Sequence, residues 1–305
     1  MRHALSFDIE DWFHIVDVDG LEPARWDALH AEHTLVERRT DQILELCAEA
    51  GVRATFFALG WIAQRHPALV RRIAEAGHEL ASHGHMHERV GILGRQPFAD
   101  DLRLSIRAIE DAAGVRVEGY RAPSFSITPG CEWAFDEMAA QGITWDASLF
   151  PAARGHGGYP CPMGAHRVTA PGGAVLDELP MSVWSPPPLG RPRLAYSGGG
   201  YLRLLPLGII QRAIEAEARA GRPTVAYLHP RDFAPDAPRW PMPPDRRFKC
   251  YVGLASTEGK LRRLLADYKW GTCREVLDEQ LGSRSDQRSG ASENPPTAAQ
   301  TGATP

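Results

Sequence analysis

Short apolar runs alternate with helical hydrophobic patterns along the first half of the chain. The runs HALSFDI, RATFFALG, HELASH, VEGYRAP and ITWDASL are typical of buried strands. Between them, segments such as TLVERRTDQILELCAEAG and FADDLRLSIRAIEDAAG place apolar residues at helical spacing and end at a glycine. This repeating strand and helix order predicts a parallel sheet covered by helices, either open or closed into a barrel.

The pattern changes in the second half of the chain. Residues 150–193 are dense in proline and glycine, so irregular loops and edge strands are expected there. A helix in LRLLPLGIIQRAIEAEARAG, a strand in PTVAYLHP and a last helix in STEGKLRRLLADYK follow, the last capped by Ser256 or Thr257. We predict one domain over residues 1–280 and, because large apolar residues become rare, a disordered tail over 281–305.

Composition narrows the functional classes. The 305 residues are 43% hydrophobic, enough for a buried core, and a formal net charge of -4 offers no basic field to attract nucleic acid. Five scattered cysteines without a C-x-x-C pair indicate reduced thiols. The N-terminus meets acids from Asp8 onward instead of an apolar signal region, and no apolar window approaches the ~18 residues of a membrane span. We therefore predict a cytoplasmic protein without a transmembrane segment.

Ionisable side chains stand where the predicted strands end. In parallel α/β folds the carboxyl ends of the strands share one edge, and ligands bind there. The residues concerned come from five separate segments and are expected to meet: Asp8, Glu10, Asp11, His83, His87, Arg121, Asp146 and His229.

Two of these residues have a spacing that suits a metal ion. His83 and His87 lie four apart in SHGHMH, so on one helical turn both imidazoles would project from the same side. With a carboxylate from Glu10 or Asp11 they would leave coordination positions open, as in catalytic sites. The alternative is a pair of solvated histidines. For His85 and His78 we expect no role in the site.

The remaining candidates have two interpretations each. Asp8, inside the apolar run LSFDI, is either a loop cap or a general base. Arg121 either orients a carboxylate through its planar fork or forms a structural ion pair. His229, followed by Pro230, is either structural or a general acid at the rim of the site.

A family resemblance uses these same residues. The segments FDIED, SHGHMH, YRAPSFS, WDASLFP and YLHP resemble, in order, the five motifs of the NodB-like polysaccharide deacetylases, carbohydrate esterase family four. Further segments, including SGGGYLRLLP and HPRDFAPDAPR, are similar to the exosortase-associated exopolysaccharide deacetylase branch. The resemblance implies an α/β fold, a distorted (β/α) barrel of about seven strands with a Pro/Gly-rich insertion. The implied activity is metal-dependent removal of N-acetyl groups from an amino sugar of an exopolysaccharide or its precursor.

The resemblance also implies roles. Asp8 becomes the general base, His229 the acid that protonates the leaving amine, and Arg121 and Asp146 a pair that positions these groups. His83 and His87 become metal ligands together with a carboxylate of the first motif. Zinc is expected, although Co²⁺, Ni²⁺, Mn²⁺ or Fe²⁺ suit the same ligands. The implied partner is an N-acetylated glycan, with peripheral association to a polysaccharide assembly system.

One departure from the family pattern leaves the carboxylate ligand open. The first motif usually has adjacent aspartates, whereas here Ile9 and Glu10 separate Asp8 from Asp11. A continuing strand would place Asp8 and Glu10 on one face, which favours Glu10. A turn after Ile9 would deliver Asp11, which we prefer because its shorter side chain gives a stiffer ligand.

Two other functions compete with polysaccharide deacetylation. A narrow, closed pocket would indicate hydrolysis of a small cyclic amide, whereas exposed aromatic residues along an open groove would indicate a glycan substrate. The candidate aromatic residues are Trp184, Tyr196, Tyr201 and Trp240. A non-catalytic glycan-binding protein is the alternative from a different class, and the presence of all five motifs argues against it.

Overall fold

The computed structural model describes residues 1–153, 155, 157–186 and 194–282. Eleven strands lie in this part of the chain: β1 (Arg2–Ile9), β2 (Thr55–Ala58), β3 (Glu79–Ser82), β4 (Gly119–Tyr120), β5 (Trp145–Asp146), β6 (His166–Thr169), β7 (Val175–Glu178), β8 (Val183–Trp184), β9 (Leu194–Ala195), β10 (Val225–Leu228) and β11 (Lys269–Gly271).

Twelve α-helices connect or follow the strands in the same described ranges. They are α1 (Trp26–Glu32), α2 (Val36–Ala50), α3 (Gly60–Arg65), α4 (Pro67–Glu75), α5 (Val90–Leu93), α6 (Arg95–Ala113), α7 (Trp133–Ala140), α8 (Gly199–Leu204), α9 (Leu207–Arg219), α10 (Pro244–Tyr251), α11 (Thr257–Asp267) and α12 (Cys273–Leu281).

The main sheet confirms the predicted fold class. Seven strands pair in parallel in the order β10-β1-β2-β3-β4-β5-β7, β6 adds an antiparallel edge, and β11 pairs with the start of β1. Interior side chains from strands at both ends of this path, such as Leu179 beyond β7 and Val225 on β10, belong to one apolar cluster. The sheet therefore curls toward closure as a distorted barrel.

Loop residues fill the gap between the two ends of the curled sheet. The backbone N–H of Val225 donates to Ser182 Oγ (2.7 Å), and that of Tyr227 donates to the carbonyl of Ser197 (3.1 Å). The loop-rich region between residues 150 and 193 supplies edge strands, as expected, and Ser182 within it also takes part in the closure. Residues 154, 156 and 187–193 lie outside the described part of the chain.

Alternation along β1 divides its side chains between two layers. Leu5, Phe7 and Ile9 belong to the large core that the helices cover, together with residues of α2 such as Ile43. Because successive side chains of a strand point to opposite faces, the intervening residues, Asp8 among them, face the barrel interior.

Several element predictions need correction. The helix expected over 202–221 is two helices, because Leu205 is extended and Pro206 interrupts the pattern before α9 begins. The helix expected to be last is α11; Ser256 occupies its N-cap position, but its hydroxyl donates to the Gly253 carbonyl instead of capping. One more helix, α12, follows and is capped by Thr272.

Three further predictions concern the chain as a whole. The tail was predicted over residues 281–305. Leu281 is the last residue of α12, and residues 283–305 lie outside the described part of the chain. All five cysteines lie in the described ranges, and none of them forms a disulfide. Across the described ranges, the helices lack the length and apolar character that crossing a bilayer would need.

Candidate metal and catalytic site

The first strand delivers two acids to the carboxyl end of the barrel. Asp8 faces the interior from within β1, and Glu10 follows directly after the strand ends at Ile9. Both side chains are buried, with 2% of each residue exposed. Acids this deeply buried in an apolar barrel need partners, because an uncompensated charge there would be strongly destabilising.

Glu10 has two imidazoles as partners. Its Oε1 lies 3.3 Å from His83 Nε2 and 3.1 Å from His87 Nε2. His83 Nδ1 lies 2.8 Å from the carbonyl oxygen of Arg121, which can only accept, so Nδ1 carries the proton and Nε2 presents a lone pair. A backbone carbonyl that accepts from the other ring nitrogen commonly fixes a metal-binding histidine in this way.

The two histidines do not share a helical turn, so that prediction is wrong. β3 ends at Ser82, and residues 83–89 form a loop in which Gly84 (φ +78°) and His87 (φ +54°) have left-handed backbone conformations. Asp101 holds the loop by accepting the backbone N–H groups of His85 (2.7 Å) and Met86 (3.0 Å). A loop, and not a helix, therefore brings His83 and His87 together.

The other two histidines of this segment point elsewhere. His85 packs so closely over Gly60 that a side chain at position 60 would overlap its ring. His78 precedes β3, at the opposite end of the strand from His83, and its Nδ1 accepts the backbone N–H of Ala54 (3.1 Å).

Asp11 has a different environment from Glu10. Its carboxylate accepts the backbone N–H groups of Trp12 (2.8 Å), Leu35 (3.1 Å) and Val36 (3.3 Å), and the hydroxyl of Thr34 (2.5 Å). The Leu35 and Val36 donors lie at the start of α2, where the first N–H groups of a helix lack intrahelical partners. The geometry corrects our preference for Asp11 as ligand: Asp11 caps a helix, and Glu10 faces the histidines.

Asp8 lies between an arginine and a histidine. Its Oδ1 accepts a hydrogen bond from Arg121 Nη1 (2.7 Å), and its Oδ2 lies 3.7 Å from His229 Nε2. Arg121 is fully buried and its guanidinium stacks on Phe57, 3.9 Å from the ring centroid. One carboxylate oxygen is thus held, while the other faces the centre of the site.

The resemblance implies that Arg121 and Asp146 position the catalytic groups, and in the structure each has its own contacts. Asp146 accepts the hydroxyl of Ser148 (2.6 Å), and Ser148 Oγ in turn accepts the backbone N–H of Ala122 (2.7 Å). Across the sheet Asp146 is aligned with Glu178. Burial and the neighbouring Asp146 carboxyl raise the pKa of Glu178 well above its usual value. Asp146 therefore orders the loop after β5 and the backbone beside Arg121.

Three site residues were not found from the sequence. Asp232 Oδ2 lies 3.0 Å from His229 Nδ1, and Asp232 Oδ1 lies 2.9 Å from Arg203 Nε. Arg231 Nη1 lies 3.7 Å from Glu10 Oε2. Arg231 and Asp232 could have been noticed in the sequence, because these charged residues follow His229 closely at the end of a predicted strand. No sequence signal pointed to Arg203, which lies 26 positions before His229.

The charges of the site favour a cation. Burial alone would raise the pKa of Glu10, but the adjacent imidazoles of His87, His229 and His83 hold it well below its usual value. Burial likewise disfavours charge on His83, yet Asp8 and Glu10 raise its pKa. The Glu10 carboxylate is therefore ionised, and its negative charge lies beside His83 and His87.

The donor atoms suit a divalent metal ion. Ligand atoms of Glu10, His83 and His87 all lie within 4.8 Å of one another. In the described structure, Glu10 Oε2 and both ring nitrogens of His87 are buried without a hydrogen-bond partner. Two imidazoles and one carboxylate are the protein ligands of many catalytic zinc sites. These residues therefore fit the metal centre that the resemblance implies.

Comparison with known proteins identifies the class. Residues 26–141 match the family model "Polysaccharide deacetylase". This range contains strands β2 and β3 and the two histidines His83 and His87. A curled parallel sheet with this donor set at the carboxyl ends of its strands, together with that match, shows that the chain contains a polysaccharide deacetylase domain of the NodB-like type. Residues 147–278 match a second model, a domain of unknown function, DUF3473.

The chain is similar to two curated deacetylases over part of their length. It is 36% identical over 85 residues to a chitooligosaccharide deacetylase of Sinorhizobium fredii, covering 28% of this chain and 40% of that protein. It is 27% identical over 99 residues to a peptidoglycan-N-acetylglucosamine deacetylase of Bacillus cereus, covering 32% of this chain and 36% of that protein. The matches thus span less than half of these relatives.

Two solved structures share the fold. A candidate polysaccharide deacetylase from Mycobacterium smegmatis is 22% identical with a TM-score of 0.60, covering 98% of this chain and 94% of that one. Puue allantoinase is 15% identical with a TM-score of 0.57, covering 92% of this chain and 91% of that one. At these identities the similarity extends to the fold alone.

Proposed function

We propose that the protein is a metal-dependent hydrolase that removes N-acetyl groups from an amino sugar of an exopolysaccharide or its precursor. The observation that carries this proposal is the convergence of Glu10, His83 and His87 with Asp8 and His229 in one buried group. The relatives named as deacetylases of N-acetylated glycans support the substrate class. The similarity to the exosortase-associated branch and the cytoplasmic location stay predictions.

The proposed ligands are Glu10, His83 and His87. When bound, a zinc ion would polarise the acetamide carbonyl and make a water molecule more acidic, and Co²⁺, Ni²⁺, Mn²⁺ or Fe²⁺ could take its place. Asp11 has no part in this proposal, because backbone N–H groups already occupy its carboxylate.

The proton transfers fall to two side chains. Asp8 Oδ2 takes the proton of the attacking water as general base, while the hydrogen bond from Arg121 to Oδ1 keeps that carboxylate oriented. His229 Nε2, which faces Asp8 and Glu10 at 3.7 and 3.6 Å, donates a proton to the departing nitrogen as the C–N bond breaks. Free amine and acetate are the products.

The two matched regions act together in this proposal. Strands β7, β10 and β11 of the second region pair with β5 and β1 in the same sheet as the first region. His229 comes from the second region, whereas the proposed metal ligands come from the first part of the chain. We therefore propose that residues 1–280 form one catalytic domain.

A small cyclic amide is the second candidate substrate. Asp8, Glu10 and His83 are each 2% exposed, as in a closed pocket. Of the aromatic residues whose exposure would favour a glycan, Tyr196 is buried and its hydroxyl forms a hydrogen bond with Thr224 (2.8 Å). Trp184 and Trp240 are half-buried, and Tyr201 is 44% exposed.

Product analysis separates these functions. We would measure acetate release from N-acetylated oligosaccharides and lipid-linked N-acetylated precursors, and ring opening of cyclic amides, each with and without chelator, and determine bound metal by elemental analysis. His83→Ala and His87→Ala should abolish turnover and metal binding together, whereas His85→Ala, a matched control in the same loop, should keep both. Turnover of cyclic amides alone would establish the second candidate. A metal-free wild type that binds glycan without turnover would refute both hydrolase functions.

A further inference from the structure

The region that matches the domain of unknown function contains a chain of charged groups ending at His229. The Nδ1 atom of His229 lies 3.0 Å from Asp232 Oδ2, and the backbone N–H of His229 donates to the same oxygen at 2.8 Å. Because an ionised carboxylate only accepts, the Nδ1 atom carries the proton in this contact. The opposite ring nitrogen, Nε2, is thereby oriented toward Asp8 and Glu10.

Asp232 is itself held by Arg203. Its Oδ1 lies 2.9 Å from Arg203 Nε, and the two side chains are 1% and 5% exposed. Asp232 also packs against Gly199, where any side chain would overlap the carboxylate. Burial alone would raise the pKa of Asp232, but Arg203 and His229 lower it, so the carboxylate stays ionised.

The guanidinium of Arg203 is anchored at its far end by backbone carbonyls. Nη1 donates to the carbonyls of Cys250 (3.0 Å) and Val252 (2.8 Å), and Nη2 donates to that of Lys249 (3.0 Å). Lys260 Nζ donates to the Arg203 carbonyl (2.8 Å). The end of α10 and the start of α11 thus fix Arg203, which fixes Asp232.

A purely structural role explains this arrangement poorly. Burying an ion pair rarely adds stability over apolar residues of similar size, because desolvation offsets the attraction. Here three backbone carbonyls hold Arg203, Arg203 pairs with Asp232, and Asp232 contacts Nδ1 of His229. In metal and hydrolase sites, such a carboxylate sets the tautomer and ring orientation of a histidine.

We infer that Asp232 and Arg203 are positioning residues for His229, and that residues 199–252 of the second matched region serve to hold the general acid in place. This inference rests on the proposed function, in which His229 donates a proton to the leaving nitrogen. It assigns a task to a region whose family model records none.

The test is a double-mutant cycle with two kinds of substrate. Asp232→Asn keeps the shape of the side chain and removes its charge. We expect kcat on an N-acetylated sugar to fall about 10- to 100-fold, part of the ~10²–10⁴ that a general acid contributes, with KM nearly unchanged. An aryl acetate with a good leaving group needs no protonation, so its hydrolysis should change by less than about threefold.

Arg203 is tested in the same way. Arg203→Met should show the same selective loss on the amide, and Arg203→Lys should recover part of it, because lysine keeps the charge. Glu217→Gln is the matched control: Glu217 is a buried carboxylate of α9 that pairs with Arg222, a residue beyond the end of that helix. It should leave the ratio of amide to ester activity unchanged.

The cycle decides between positioning and structure. In a His229→Ala background, Asp232→Asn should cause no further loss of amide turnover, because the group it positions is gone. Additive losses, or equal losses on amide and ester, would overturn the inference while the proposed function stands. If the wild type hydrolyses neither substrate, the proposed function fails, and the inference fails with it.

A measurement independent of turnover covers variants that fold poorly or are inactive. The hydrogen-bonded Nδ1 proton of His229 should give a downfield NMR resonance in the wild type that disappears in His229→Ala and Asp232→Asn. Glu217→Gln should retain it. An unchanged resonance in folded Asp232→Asn would refute the contact on which the inference depends.

Discussion

The acids Glu10 and Asp11 are neighbours in sequence, and we predict opposite consequences when each is replaced. Glu10→Gln removes the charge that faces His83 and His87, so the protein should lose metal affinity. Asp11→Ala removes the acceptor for the N–H groups of Trp12, Leu35 and Val36, so it should lose stability.

The magnitudes follow from these contacts. Each buried donor left without a partner costs about 1–3 kcal/mol, and Asp11 serves two donors at 2.8 and 3.1 Å and a third at 3.3 Å. Thr34 beside them is exposed, so water can satisfy some of these groups. We expect Asp11→Ala to lower the free energy of unfolding by about 2–4 kcal/mol.

Two assays measure the pair of effects. Urea denaturation of metal-free protein gives stability, and zinc titration followed by elemental analysis gives affinity and stoichiometry. Glu10→Gln should weaken zinc binding by at least ~10-fold, whereas Asp11→Ala should bind one ion per folded chain as the wild type does. Glu75→Gln, an exposed acid, is the control for both. Loss of zinc in Asp11→Ala with full binding by Glu10→Gln would refute the assignment of ligand and cap.

Three further predictions concern pH, packing and the histidine loop. Burial raises the pKa of Glu79 to about 7 from 4.5, so its contribution to stability is complete below pH 4.5 and is lost as the pH rises through about 7. Glu79→Gln should therefore make the protein more stable at pH 8, by up to about 3 kcal/mol at 1.36 kcal/mol per pKa unit, but not at pH 4.5; equal melting curves of variant and wild type at pH 8 would contradict this. Gly119→Ala should destabilise by about 1–3 kcal/mol in urea, because a Cβ there would overlap the buried Trp145 ring, whereas Gly208→Ala in α9 has open space and should be neutral or stabilising. His85→Ala should keep wild-type zinc stoichiometry; loss of the ion would show that the loop, and not its ligands alone, depends on that ring.

Periodicity and strand ends predicted much of the fold and the membership of the site. The alternation of strands and helices is local, and it indicated the parallel sheet before any pairing was known. Because parallel strands end at one edge, Asp8, His83, Arg121 and His229 could be placed together from their positions alone. Pro206, which divides the predicted helix, was also visible in the sequence.

Tertiary structure alone decided which atoms meet. Asp11 turned away from the histidines because α2 begins 25 residues later beside it, and no local pattern predicts that approach. Glu178 reaches Asp146 only through the pairing of β5 with β7, and Arg203 reaches Asp232 only when the barrel is nearly closed. Local hydrophobic patterns determined the elements and their ends, while the partners of each buried charge depended on contacts between distant segments, which form only when the sheet curls.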